Sequence, residues 1–194
     1  MSLSTISFFA TFILKNNIDV SLVIRRVLAC LHRCDIKYVL TGMIPGIIFH
    51  GVPVASTTDI DILIFFEKNY DEEKIRELFR CLENNGFMKG GLFKFRDEKT
   101  KFGVDLMLVH EDSPQLVKDA FKHRKMVLLE SVKTYIVDRK YFTLLKLFRG
   151  KRKDYYHLSE WVKGGGISLS EIEEWAREYN LMHTVEELRR WIQD

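Results

Sequence analysis

Apolar positions recur along this chain with two periods, and the places where the period changes mark its elements. After Asp19, a candidate cap, residues Val20, Val23, Ile24, Val27 and Leu31 fall at helical spacing, while Arg25, Arg26 and Arg33 lie on another face and read as a solvated surface. The apolar run Ile36 to Leu40 predicts a first strand ending at Thr41-Gly42. Ile44, Ile47, Ile48 and Gly51 then return to helical spacing, with Pro45 at the start, where proline is tolerated. In the run Asp59 to Phe66, strand alternation sends Ile60, Ile62 and Ile64 into a core and puts Asp59 and Asp61 together on the other side. A helix with the stripe Ile75, Leu78, Phe79 and Leu82 follows, opened by an Asn69–Glu72 capping box and closed at Gly86.

Two strands come next, Phe87 to Phe95 and Lys101 to Val109, joined by a polar segment. In the second, Val104, Leu106 and Leu108 face one way and Gly103, Asp105 and Met107 the other. A helix is predicted from Ser113 to His123, further strands in Met126 to Leu129 and Val132 to Val137, and then a helix with the core stripe Tyr141, Leu144, Leu145 and Phe148. Gly164 to Gly166 breaks the pattern before two short helices, capped by Ser168 with Glu171 and by Thr184 with Glu187. Their stripes are Ile172, Trp175, Ala176 and Tyr179, then Leu188, Trp191 and Ile192. Together the elements predict an α/β (α+β) fold in three parts: N-terminal helices over 1–34, a mixed-sheet domain over 35–138, and a helical C-terminal region over 139–194.

Composition narrows the class. An apolar share of 46% with 29% charged residues is that of a soluble globular chain, and a net charge of +3 is too small to argue for nucleic acid by itself. Leu3 to Leu14 is apolar, yet it is too short for a bilayer and lacks a basic start. It reads as a helix packed on the body, with no membrane partner. Cys30, Cys34 and Cys81 cannot all pair, and a reduced, cytoplasmic setting is expected. The six histidines show no zinc spacing, and His50 reads as structural. The acidic tail, with Glu171, Glu173, Glu174, Glu178, Glu186 and Glu187, disfavours a DNA groove.

The chemistry concentrates around Asp59 and Asp61. Two like charges on one small patch repel unless a cation sits between them, and hard carboxylate oxygens suit Mg²⁺, which completes its shell with water and substrate phosphates. Asp105, an acid on an otherwise apolar strand, joins them if its strand lies alongside. Upstream, Gly42 at a strand-to-helix turn would let backbone approach a ligand, and the helix start behind it favours an anion. The densest charge, Arg149 to Asp154, reads either as a solvated helix end or as a basic wall near the acids. Lys146, Arg149 and Lys153 share a face of that helix if it continues through Gly150.

These residues carry a resemblance. Thr41-Gly42, then His50-Gly51, then Thr57-Thr58-Asp59-Ile60-Asp61-Ile62, with Asp105 in a later Gly-Val-Asp-Leu strand, look like the DNA polymerase beta-like nucleotidyltransferase superfamily over roughly 36–160. More narrowly the chain is similar to the small prokaryotic branch that includes the nucleotidyltransferase toxins of type IV toxin-antitoxin systems. The resemblance implies a mixed sheet flanked by helices with a helical C-terminal extension. It implies Asp59, Asp61 and Asp105 as catalytic ligands of two Mg²⁺ ions, with Mn²⁺ as a substitute, and Asp105 as general base. Thr41, Gly42, Thr57 and Lys146 would hold the nucleotide, and Lys153-Asp154 resembles a further pair in the toxins. The implied partners are a nucleoside triphosphate, a hydroxyl acceptor that is RNA, tRNA-like, or protein, and an antitoxin. Met43 stands where the family has serine or glycine, and Ala55 where it often has arginine. Both departures thin the nucleotide contacts. A decayed nucleotidyltransferase fold used for binding is therefore one alternative, and a nucleic-acid-binding protein acting through Arg149 to Lys153 is the other.

Overall fold

A computed structural model describes residues 20–50, 58–66, 72–129 and 132–193. The helix expected in Leu3 to Leu14, the caps Asp19 and Asn69, and Thr57 and Ala55 lie outside these residues. The described elements are α1 (Val20–Arg33), β1 (Lys37–Thr41), α2 (Met43–His50), β2 (Asp59–Phe65), α3 (Glu72–Asn84), β3 (Phe87–Gly91), β4 (Lys94–Asp97), β5 (Gly103–Val109), α4 (Gln115–Lys122), β6 (Lys125–Leu129), β7 (Val132–Ile136), α5 (Arg139–Arg149), α6 (Arg152–Lys163), α7 (Leu169–Glu178) and α8 (Met182–Gln193).

The strands form one mixed seven-stranded sheet in the order β3-β4-β5-β2-β1-β7-β6. At its centre β2 runs antiparallel to β1 and parallel to β5, and β1 runs parallel to β7. Each face is covered, because every central strand alternates two apolar sets. Ile60, Ile62, Ile64, Leu40 and Val104 pack under α1 and α3. Val39, Leu63, Val109 and Val137 pack under α4 to α8, with Phe142, Leu158, Ile172 and Leu188.

The sheet also corrects the expected elements. Phe87 to Phe95 is not one strand but most of a hairpin, β3 and β4, in which Gly91 pairs with Lys94 across a two-residue turn. Gly90-Gly91 supplies no side chain to hold a longer strand straight. Arg26, assigned to a solvated face, instead reaches Asn85 O and the buried Asp97, tying α1 to the end of β4. The core stripe assigned to α5 is rotated: Phe148 is 49% exposed, whereas Lys146 is only 5% exposed. Thr184 caps nothing from outside; it lies within α8 and donates to Leu181 O. Ser168 and Glu171 do form the capping box of α7.

No helix among the described residues is long and apolar enough to cross a membrane. Cys30, Cys34 and Cys81 are free, buried thiols.

Candidate active site

Strand register brings the acids together. Across four neighbouring strands, Thr41 pairs with Asp61, Asp61 with Asp105, and Asp105 with Lys94. One step along lies a second row, Asp59 opposite Gly103 and Gly103 opposite Arg96. Laterally paired residues project to one side of a sheet, and so do residues two apart on one strand. Asp59, Asp61 and Asp105 therefore share one face with Thr41 and Lys94. It is the face that α4 to α8 cover, since Leu63, two residues after Asp61, belongs to their core.

Gly42 follows Thr41 directly, in the left-handed region with φ of 68°. The Asp61 carboxylate lies against its bare backbone: a Cβ at position 42 would meet Asp61 Oδ2 at 2.0 Å. The glycine is thus required twice, by its conformation and by the acid above it. Burial pushes the Asp61 carboxyl above its ordinary value, helped by Asp59 and Asp105 and opposed by Arg149 and Lys153.

Helix α5 ends at Gly150, which adopts φ of 57°, and α6 starts afresh at Arg152. The expected single face of Lys146, Arg149 and Lys153 therefore does not form. A tighter cluster replaces it. Asp154, fully buried at the start of α6, accepts from Lys146 Nζ at 3.1 Å and from Arg149 Nε at 2.7 Å, with a second bond from the same guanidinium. Burial would raise the Asp154 carboxyl, but Arg149 and Lys146 outweigh it and hold it below the usual range. Lys146 also meets His157 Nδ1 at 3.2 Å, and burial pulls its ammonium below the ordinary lysine value. Arg149 is held further up by Asp154.

Two hollows flank the acid rows. One, of about 350 Å³, is lined by Thr41, Gly42, Asp61, Lys146 and Arg149 together with apolar side chains such as Leu63, Met107, Val117 and Phe148. The other, of about 500 Å³, lies over the β3–β4 hairpin and includes Asp59, Asp105 and Lys94. His50 lines neither; it stacks on Trp161 with ring centroids 4.3 Å apart.

The three acids suit a hard divalent cation in chemistry: carboxylate oxygens on one face, with Asp61 raised partly by its two acidic neighbours, a repulsion that a cation relieves. Among the described residues no three such donors close into a metal-binding group. Asp105 is turned instead to Lys94 Nζ, 2.7 Å away. Of the residues the sequence singled out, Thr41, Gly42, Asp59, Asp61, Asp105 and Lys146 meet in this region, and Thr57 lies outside the described residues. Sequence reasoning did not single out Lys94, nor Asp154 as the clasp on Lys146 and Arg149. Only register and helix packing bring these to the acids.

No protein-family model matches the chain, and no curated protein is significantly similar in sequence. A solved structure does share its fold. An antigenic nucleotidyltransferase-like protein from Paracoccidioides brasiliensis superposes with a TM-score of 0.50 at 18% identity, over 86% of this chain and 89% of that one. The antibiotic-resistance factor ANT(2'')-Ia matches over 91% of this chain and 93% of that one, with a TM-score of 0.46 and 16% identity, too distant to argue from. At 18% identity the first likeness shows a shared fold, a nucleotidyltransferase-like one, and no more.

Proposed function

We propose that this protein is a metal-dependent nucleotidyltransferase, moving a nucleoside monophosphate from a nucleoside triphosphate to a hydroxyl acceptor. The observation that carries the proposal is the register of β2 on β5, which sets Asp105 beside Asp61 and on the same face as Asp59. Asp59, Asp61 and Asp105 would hold Mg²⁺, which supplies charge neutralisation on the triphosphate and at the attacking oxygen.

The chain's own residues divide the remaining work. The smaller hollow takes the nucleotide, its apolar side chains meeting base and ribose, and the bare backbone at Gly42 allows a phosphate close approach. Lys146 and Arg149 receive the β- and γ-phosphates. Asp154 fixes both cations and is the positioning residue, so that little side-chain freedom is lost on binding. In the transfer, the acceptor oxygen attacks the α-phosphorus and forms a new P–O bond. The bond from that phosphorus to the bridging oxygen breaks, and pyrophosphate leaves against Lys146 and Arg149. The acceptor proton passes to Asp105, whose carboxylate is oriented by the hydrogen bond it accepts from Lys94 Nζ.

The test is transfer of label from an α-labelled triphosphate. Asp61→Asn should abolish it while leaving the thermal midpoint near wild type, because asparagine keeps the shape and removes one of three repelling charges. Full transfer by that variant overturns the mechanism. The narrower reading, a toxin held by an antitoxin in the cytoplasm, leans on Lys146 and Lys153-Asp154 and predicts growth arrest on expression that Asp61→Asn relieves.

A further inference from the structure

The smaller hollow has an aromatic ring in its wall that the fold leaves half uncovered. On α5, Phe142, Leu145, Lys146 and Arg149 fall at helical spacing along one face and line that hollow. Phe148 lies one turn after Leu145, at the rim of the same face, and lines it too. Its sequence neighbours are engaged elsewhere: Leu147 is fully buried in the core, and Arg149 is bonded to Asp154. After the turn at Gly150, α6 packs across the Lys146 and Arg149 side of α5, and the Phe148 ring stays 49% exposed. An aromatic face left open at the wall of a hollow suits a flat ligand that stacks on it.

Beyond the acid row the hollow turns apolar. Leu63 and Met107 pair across β2 and β5, two residues past the Asp61–Asp105 pair on the same face. The chain after β5 adds Ser113, Pro114 and Val117. Polar groups in this part are already engaged. The Ser113 N–H donates to His110 O at 3.0 Å, and Ser113 Oγ accepts from the His110 N–H at 3.0 Å. Pro114 has no N–H to offer. Among the described lining residues of this part, the side-chain donor left for a base edge is the Ser113 O–H. Apolar contact and the open ring therefore dominate what a ligand meets there.

We propose that Phe148 is the platform on which the nucleobase stacks, so that the hollow prefers purine to pyrimidine nucleoside triphosphates by the area of the base and not by its edge. This rests on the reading of the hollow as the nucleotide site and names the class of triphosphate it takes. The phosphates lie toward Asp61, Lys146 and Arg149, and the base extends past Leu63 and Met107 to the ring. Every base has a π-face, and a fused two-ring base covers more of the phenyl group than a single ring does. Adenine and guanine differ at their edges, which few donors meet here, so the two are told apart only weakly. Phe148 acts on binding and touches none of the reacting atoms.

The experiment is calorimetry on the full chain with Mg²⁺, using the uncleavable α,β-methylene analogues of ATP, GTP, CTP and UTP, and tripolyphosphate, which has no base. Wild type should bind the purine analogues about threefold or more tighter than the pyrimidine ones, and tripolyphosphate more weakly than any of them. Phe148→Ala should lower affinity for the purine analogues by about tenfold and leave tripolyphosphate binding unchanged. Phe148→Leu, which keeps an apolar side chain without a π-face, should recover little of that loss. Phe148→Trp should restore it, and the added indole fluorescence should be quenched by a purine analogue and not by tripolyphosphate. Equal affinities for purine and pyrimidine analogues, or unchanged purine affinity in Phe148→Ala, overturn the proposal. So does a parallel loss of tripolyphosphate binding, which would make Phe148 a support of the hollow and not a face for the base. Each of these outcomes spares the transferase reading, because wild type still binds the triphosphates. Failure of wild type to bind any analogue or tripolyphosphate defeats that reading, and the platform with it.

Discussion

At the scale of single residues, Gly42 meets the strictest demands. Its φ of 68° disfavours any side chain by about 1–2 kcal/mol, and the Asp61 carboxylate occupies the place where a Cβ would stand. Gly42→Ala must therefore either move the backbone or push Asp61 aside. The expected outcome is a modest loss of thermal stability with a much larger loss of Mg·ATP binding, read by calorimetry beside a melting curve. Unchanged nucleotide affinity would show that the turn is only a turn. Gly42 was legible from the chain, since a glycine between a strand and a helix ahead of two spaced acids points to close approach. That Asp61 is the group approaching it was not, because β1 and β2 meet across the sheet and not along the sequence.

At the scale of elements, the site depends on a hairpin that the sequence did not resolve. Strand β4 presents Lys94 and Arg96 to the acid side while Phe95 and Asp97 turn to the opposite face. Asp97, fully buried, anchors the strand's end by accepting from Arg26 and from the backbone and hydroxyl of Thr100. Burial works against its charge, but the Thr100 and Arg26 bonds prevail and hold its carboxyl below the usual range. Asp97→Ala leaves Arg26 and Thr100 without that partner, and a loss of about 3 kcal/mol is expected in denaturant unfolding. A loss under 1 kcal/mol would mean that Arg26 is satisfied by Asn85 alone. By contrast, the exposed Lys94–Asp105 pair contributes little to stability, so its variants report on function.

At the scale of the whole molecule, α2, α5 and α6 meet in a charged and aromatic interior on the acid side of the sheet. His50 stacks on Trp161, and Lys146 joins Asp154 to His157. Burial lowers both histidines from 6.5 to about 4, with Arg139 and then Lys146 adding for His50, and Lys146 first among the charges for His157. Both are neutral in the folded state and would take up a proton near 6.5 once unfolded. Their contribution is thus complete above pH 6.5 and is lost as pH falls from 6.5 toward 4. Melting temperature should drop across that window, and His50→Gln or His157→Gln should make the decline shallower by up to one proton's worth of slope. An equally steep decline in both variants would place the titration elsewhere.

Local pattern determined a good deal: the α/β alternation, the two-sided strands, the Ser168–Glu171 cap, and the pairing of Asp59 with Asp61 on one face. Those features depend on neighbours within a few residues, where helical and strand periods speak directly. Tertiary structure decided the rest. Asp105 reached Asp61 only through the parallel register of β5 on β2, and Lys146 was buried because α6 brought Asp154 against it. Periodicity cannot report such meetings, since a lysine's burial and an acid's company are set by which strands and helices pack together, not by spacing along one of them.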